Sequence, residues 1–206
     1  MRNLFFLIFF YATTCFSQIS QDKQFFESIK DTTNKLPYVI CIQSDGYNVI
    51  EKVISKKNIF NKNDPTNHVE LTSKELLYIK GEIAKNKNYV FSKTTFPDAI
   101  FISKDTLKSY SSNISEQWHN EQKVLIESQD TVKYAQFRKE KPYPCMLTFV
   151  HFYSKPIYFR NNTLCIIYHA NLCGFHNSVG GCYQVMLFNK INGVWKMLLE
   201  TGGGCY

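Results

Sequence analysis

"YQVMLFNKINGVWKMLLE" (residues 183–200) holds two strand-length apolar runs joined at Asn192-Gly193. That dipeptide favours a type I′ turn, because both central positions require positive φ. The two runs are therefore expected to pair as an antiparallel hairpin. Upstream, "CMLTFVHFYS" (145–154) and "TLCIIYHA" (163–170) have the same strand length and composition. The C-terminal third thus reads as an antiparallel sheet.

The N-terminal side reads differently. "SQDKQFFESIKDTTNKLP" (20–37) is expected to be a helix capped by Asp22, with Phe25, Phe26, Ile29 and Leu36 at helical spacing and Pro37 closing it. "LTSKELLYIKGEIAKN" (71–86) predicts a helix with a Thr72/Glu75 capping box and Leu76, Ile79 and Ile83 on one face. "YVICIQ" (38–43), "YNVIEKVIS" (47–55), "YVFSKTT" (89–95) and "DAIFIS" (98–103) read as strands, with Asp45 a turn former in "SDG" and 56–67 a loop. Between Leu107 and Gln136, "ISEQWHNEQKVLIES" is compatible with a helix. These elements predict an α+β fold, with helices preceding a mainly antiparallel sheet in one domain spanning 18–206.

Composition supports a packed core. Of 206 residues, 44% are hydrophobic, 16% aromatic and 20% charged, which are globular values. The formal charge of +7 is spread along the chain, and its densest basic run, "FRKEK" (137–141), is interrupted by Glu140. A nucleic-acid binder gathers basic groups on one face to neutralise several phosphates together, so that class is excluded.

"MRNLFFLIFFYATTCFSQ" (1–18) has one basic residue, then an apolar run from Leu4 to Phe16. The run is shorter than the about 20 residues a bilayer span needs, and it reads as a secretory signal peptide over 1–17, cleaved near Ser17. The alternatives are an uncleaved hydrophobic N-terminal strand or anchor, and lipidation at Cys15, although "ATTC" lacks the residues usual before a lipidated cysteine. No later stretch is long and apolar enough to cross a membrane. The mature chain is accordingly expected to be periplasmic or extracellular. It retains Cys41, Cys145, Cys165, Cys173, Cys182 and Cys205, an even set in a compartment that favours disulfides.

"HANLCGFHNSVGGCYQ" (169–184) concentrates the reactive side chains. His169, Cys173, His176 and Cys182 offer donors that zinc accepts, but all four fall in one short loop rather than in two separated pairs. Either cysteine would need a nearby base to act as a nucleophile, and no protease, hydrolase, phosphate-loop or dinucleotide signature surrounds them. The reading that explains most is a Cys173–Cys182 disulfide. It would close a loop of about ten residues and stabilise it by about 2–3 kcal/mol. Cys165 then stays free or pairs with Cys41, Cys145 or Cys205. His68, His119 and His151 read as ordinary surface or core histidines.

The segment 153–198 resembles a group of exported bacterial proteins without known activity. Ser154, Pro156, Tyr168, Cys173, Gly174, Lys190, Asn192, Gly193, Trp195 and Lys196 carry the resemblance. Gly181-Cys182 inverts the second Cys-Gly of that group. The resemblance implies export and an α+β fold, and it lends no catalytic residue. The expectation is a non-enzymatic binding domain for a protein or small ligand, without a cofactor or metal. The alternatives are a secreted hydrolase with a Cys/His or Ser/His pair, or a zinc-stabilised module.

Overall fold

Asn192 and Gly193 have φ of 51° and 81°, as a type I′ turn requires, and they join β8 (Gly180–Ile191) to β9 (Val194–Cys205). This computed structural model describes residues 21–30, 38–140, 149–173 and 180–205. The signal-peptide region, the end of the first expected helix, Cys145 and His176 lie outside the described residues.

β7 (Leu164–Cys173) runs antiparallel to β8, and β5 (Phe149–Tyr153) runs antiparallel to the other edge of β7. β6 (Ile157–Phe159) pairs the same edge further along, so β5 and β6 act as one strand broken at Pro156. A break there fits proline's missing N–H. Ser154 bridges the gap: its Oγ accepts from the Tyr168 N–H at 2.9 Å. The sheet continues through β1 (Val39–Cys41) and β4 (Ile100–Ile102), which join in parallel, giving the order β4-β1-β5-β7-β8-β9.

The parallel pairs need long crossovers, and these carry the helices. Between β1 and β4 lie α2 (Tyr47–Ile54), the small antiparallel pair β2 (Asn58–Phe60) and β3 (His68–Glu70), and α3 (Ser73–Asn86). Between β4 and β5 lie α4 (Lys104–Glu127) and α5 (Thr131–Glu140). A helix over residues 21–29, α1, precedes them all. The α+β class and the strand-rich C-terminal third are therefore as expected.

Three expectations need correction. Residues 47–55 form a helix rather than a strand. Tyr47, Ile50 and Ile54 are its buried residues, a three-then-four spacing that outweighs the strand preference of Val49, Ile50, Val53 and Ile54. Gly46 starts it at φ 77°, and a Cβ there would lie 2.0 Å from two ring carbons of Tyr168. Within 56–67, expected as a loop, β2 forms because Ile59 is buried opposite Val69. Residues 89–95 contribute only one isolated bridge, Val90 to Gln43, before turning. The α3 capping box is present as expected. Glu75 N–H donates to Thr72 Oγ1 at 3.2 Å, while Thr72 N–H donates to Glu75 Oε2 at 2.8 Å.

The sheet is covered on both faces. Phe25 and Phe26 of α1 pack with Ile40, Tyr153, Cys165, Ile167, Phe188 and Trp195 on one side. On the other, α2 and α3 pack through Ile50, Ile54, Ile79 and Ile83 against Ile166, Val185, Leu187 and Leu199. Val39, Cys41, Val150, Phe152 and Ala170 extend that second side, with Leu107 of α4 packed on them.

Candidate functional site

The ends of β7 and β8 decide the fate of the cysteines. In the antiparallel ladder Cys173 stands opposite Gly180, and Asn171 stands opposite Cys182. Across the next ladder Cys182 is directly opposite Cys205, with Cα atoms 4.2 Å apart, and these two form the disulfide. The expected Cys173–Cys182 bond is thus corrected. Directly opposed residues bring their Cβ atoms together, whereas Cys173 and Cys182 are offset by two positions in the ladder. The bond leaves Cys182 with no thiolate, so neither a four-residue zinc set nor a nucleophile can use it. Cys41 and Cys165 are buried free thiols, both pushed up by burial.

The same ladders assemble a cluster that spacing does not reveal. His151 on β5 and His169 on β7 lie on the same sheet face, and His151 Nδ1 is 3.0 Å from His169 Nε2. A tyrosine packs on each ring: Tyr38 lies tilted by 31° against His151 and Tyr153 is stacked on His169, both with centroids 4.6 Å apart. The Tyr38 and Tyr153 hydroxyls hydrogen-bond to each other, which ties the two tyrosines together. Burial pushes the His169 imidazole down to about 3, with His151 adding to the effect, and burial also lowers His151. Both rings are therefore neutral at pH 7, and one N–H donates to the other ring's lone pair.

Under α1, Asp22 is 2% exposed and accepts from Tyr158 Oη at 3.0 Å. It was expected to cap the helix from outside; instead it sits within α1 and faces the sheet. Desolvation raises its carboxyl to about 6, partly offset by Lys155 and by the Tyr158 hydrogen bond.

On the opposite sheet face, α2, β2 and the β8–β9 hairpin enclose a cleft of about 520 Å³. Its polar lining comprises Lys52, Lys56, Asn48, Asn58, Tyr183 and Thr201, and Val49, Val53 and Phe60 supply apolar wall. Gly202 and Gly203 form part of it as bare backbone. A Cβ at Gly202, where φ is 61°, would stand 2.6 Å from Val53, and one at Gly203 would stand 2.8 Å from the Tyr183 carbonyl. The "GGG" run is what lets strand and helix approach this closely. Among the described residues neither lysine is ion-paired, and Asn58 Oδ1 is buried without a hydrogen-bond donor.

No group of three or more His, Cys, Asp or Glu side chains able to hold a metal occurs among the described residues. Among those residues no helix is long and apolar enough to cross a membrane. Sequence reasoning missed both the cleft and the histidine pair. The "TGGGC" run near the C-terminus is the only local signal of the cleft, since adjacent glycines in a strand mark a close backbone approach. Comparison with protein-family models, with curated proteins and with solved structures finds no match to this chain.

Proposed function

We propose that the protein is an exported, non-enzymatic binding domain, and that the cleft between α2 and the β8–β9 hairpin takes a small anionic ligand. The cleft carries the reading: its volume of about 520 Å³ is that of a small-molecule site. Its recognition groups are two lysines that no carboxylate pairs among the described residues, two asparagines, a threonine and a tyrosine, set beside aliphatic wall. Such groups select by charge and hydrogen bonding. They sit on a helix and paired strands, which hold a binding geometry better than loops do. Export is supported by the leader-like residues 1–17 and by the Cys182–Cys205 disulfide, a bond that persists in oxidising compartments.

Thermal-shift and calorimetric titrations with inorganic phosphate, succinate and benzoate, against sodium chloride at equal ionic strength, test the cleft. At least one anion should saturate and stabilise, by about 2.7 kcal/mol at a hundredfold excess over Kd. Replacing Lys52 and Lys56 by Ala should abolish that stabilisation without changing the unliganded melting point. Binding unchanged in the double variant, or no saturation by any of the three, overturns the reading. N-terminal sequencing of the exported chain should begin at Gln18.

A further inference from the structure

We propose that the cleft receives an extended acidic peptide, which adds as a strand to the open end of the β9 edge. The proposal rests on the anion-binding reading of that cleft and names the chemical class of the ligand.

The edge carries it. β9 is the last strand of the sheet, so one of its edges has no ladder partner. The turn between β2 and β3 closes part of that edge. Lys62 N–H donates to the Glu200 carbonyl at 2.8 Å, and the Asn67 side-chain amide donates to the Leu198 carbonyl at 3.2 Å. Over 201–205, among the described residues, no backbone group bonds to another outside the β8–β9 ladder. Unpaired N–H and C=O groups along an edge are a template for a further strand. The register shifts by one residue between the Val185–Thr201 and Tyr183–Gly204 pairs, and Gly202 lies there at φ 61°. A shift of this kind interrupts the ladder and bends the strand. Thr201, Gly202 and Gly203 line the cleft, with Asn58, Ile59 and Phe60 of β2 forming another wall. The two glycines present backbone rather than side chain, so a second backbone can approach closely.

Charge sets the peptide's composition. Lys52 and Lys56 stand four residues apart on α2, hence on one face of the helix, and no carboxylate pairs either among the described residues. No Asp or Glu lines the cleft. Four residues of helix rise about 6 Å. Alternate residues of a strand share one face about 6.8 Å apart, so acidic side chains at every second position match the lysine spacing. Main-chain bonds to the edge then supply affinity, while the lysines select the side chains. A free small anion would use the lysines alone and leave the edge open.

Calorimetric titration of the mature chain with acetyl-Val-Glu-Val-Glu-Val-amide, beside succinate, tests the proposal. The peptide should saturate at one equivalent, bind at least about tenfold tighter than succinate, and slow hydrogen exchange at backbone amides within 201–205. N-methylation of alternate peptide amides should weaken binding by about tenfold in one register and not in the other. Lys52→Glu combined with Lys56→Glu should lose the acidic peptide and gain acetyl-Val-Lys-Val-Lys-Val-amide, an exchange that a misfolded variant cannot produce. If succinate saturates through the lysines but the peptide binds no tighter, or N-methylation has no effect in either register, the ligand is a small anion alone. The cleft reading then stands and the peptide proposal fails. If neither succinate nor the peptide saturates, both fail. A mature chain that dimerises and protects the 201–205 amides without peptide gives the edge to a second copy, which also overturns the proposal.

Discussion

Two buried groups pull the pH dependence of stability in opposite directions. Asp22 has its folded-state carboxyl raised to about 6 by desolvation. Its folded form holds a proton that the unfolded chain has released, so stability falls as pH rises from about 4 to 6. His169 is the reverse case. Its folded value is lowered to about 3, so it contributes stability above about 6.5 that is lost as pH falls. Asp22→Asn keeps an acceptor for Tyr158 and removes the buried charge. We expect it to be more stable than wild type at pH 8 by about 2–3 kcal/mol, a difference that vanishes below pH 4. Urea midpoints between pH 4 and 8 measure this, and a constant difference would refute the assignment. Gly46 is the other position where one residue decides much. Gly46→Ala meets both positive φ and the Tyr168 ring, and should cost about 2 kcal/mol or more, lowering Tm by about 4–8 °C.

Among the elements, the β8–β9 hairpin is doubly fixed, by Asn192-Gly193 at one end and by Cys182–Cys205 at the other. With a sequence separation of 23, the bond is worth about 3 kcal/mol on the chain-entropy account. Cys205→Ser should lower Tm by about 6–12 °C, and non-reducing peptide mapping of the native chain should recover the 182–205 pair. A Cys173–Cys182 peptide in that map would overturn the ladder register. Thr72 and Glu75 were legible as the start of α3 because a capping box is complete within four residues. Glu75 does more than cap: Arg160 Nε donates to its Oε1 at 2.7 Å, which with the cap holds its carboxyl down to about 2. Nothing near Arg160 in the sequence announces that partner. In α2 the β-branched residues spoke for a strand, and only packing of Tyr47, Ile50 and Ile54 under the sheet shows which period applies.

At the scale of the whole molecule, the sheet is mixed because β1 and β4 add in parallel to an otherwise antiparallel set, with helices carried by the crossovers. That arrangement leaves a histidine pair on one face and a lysine-lined cleft on the other. By itself the sequence determined the α+β class, the α3 box and the closing hairpin, since each rests on a pattern complete within one short segment. Only the tertiary structure decided that Cys182 pairs with Cys205, that His151 meets His169, and that "TGGGC" floors a cleft against α2. Each of these depends on strand register between distant segments. Register follows from which faces are buried across the whole sheet, and a shift of one residue would turn every one of these side chains to the other side.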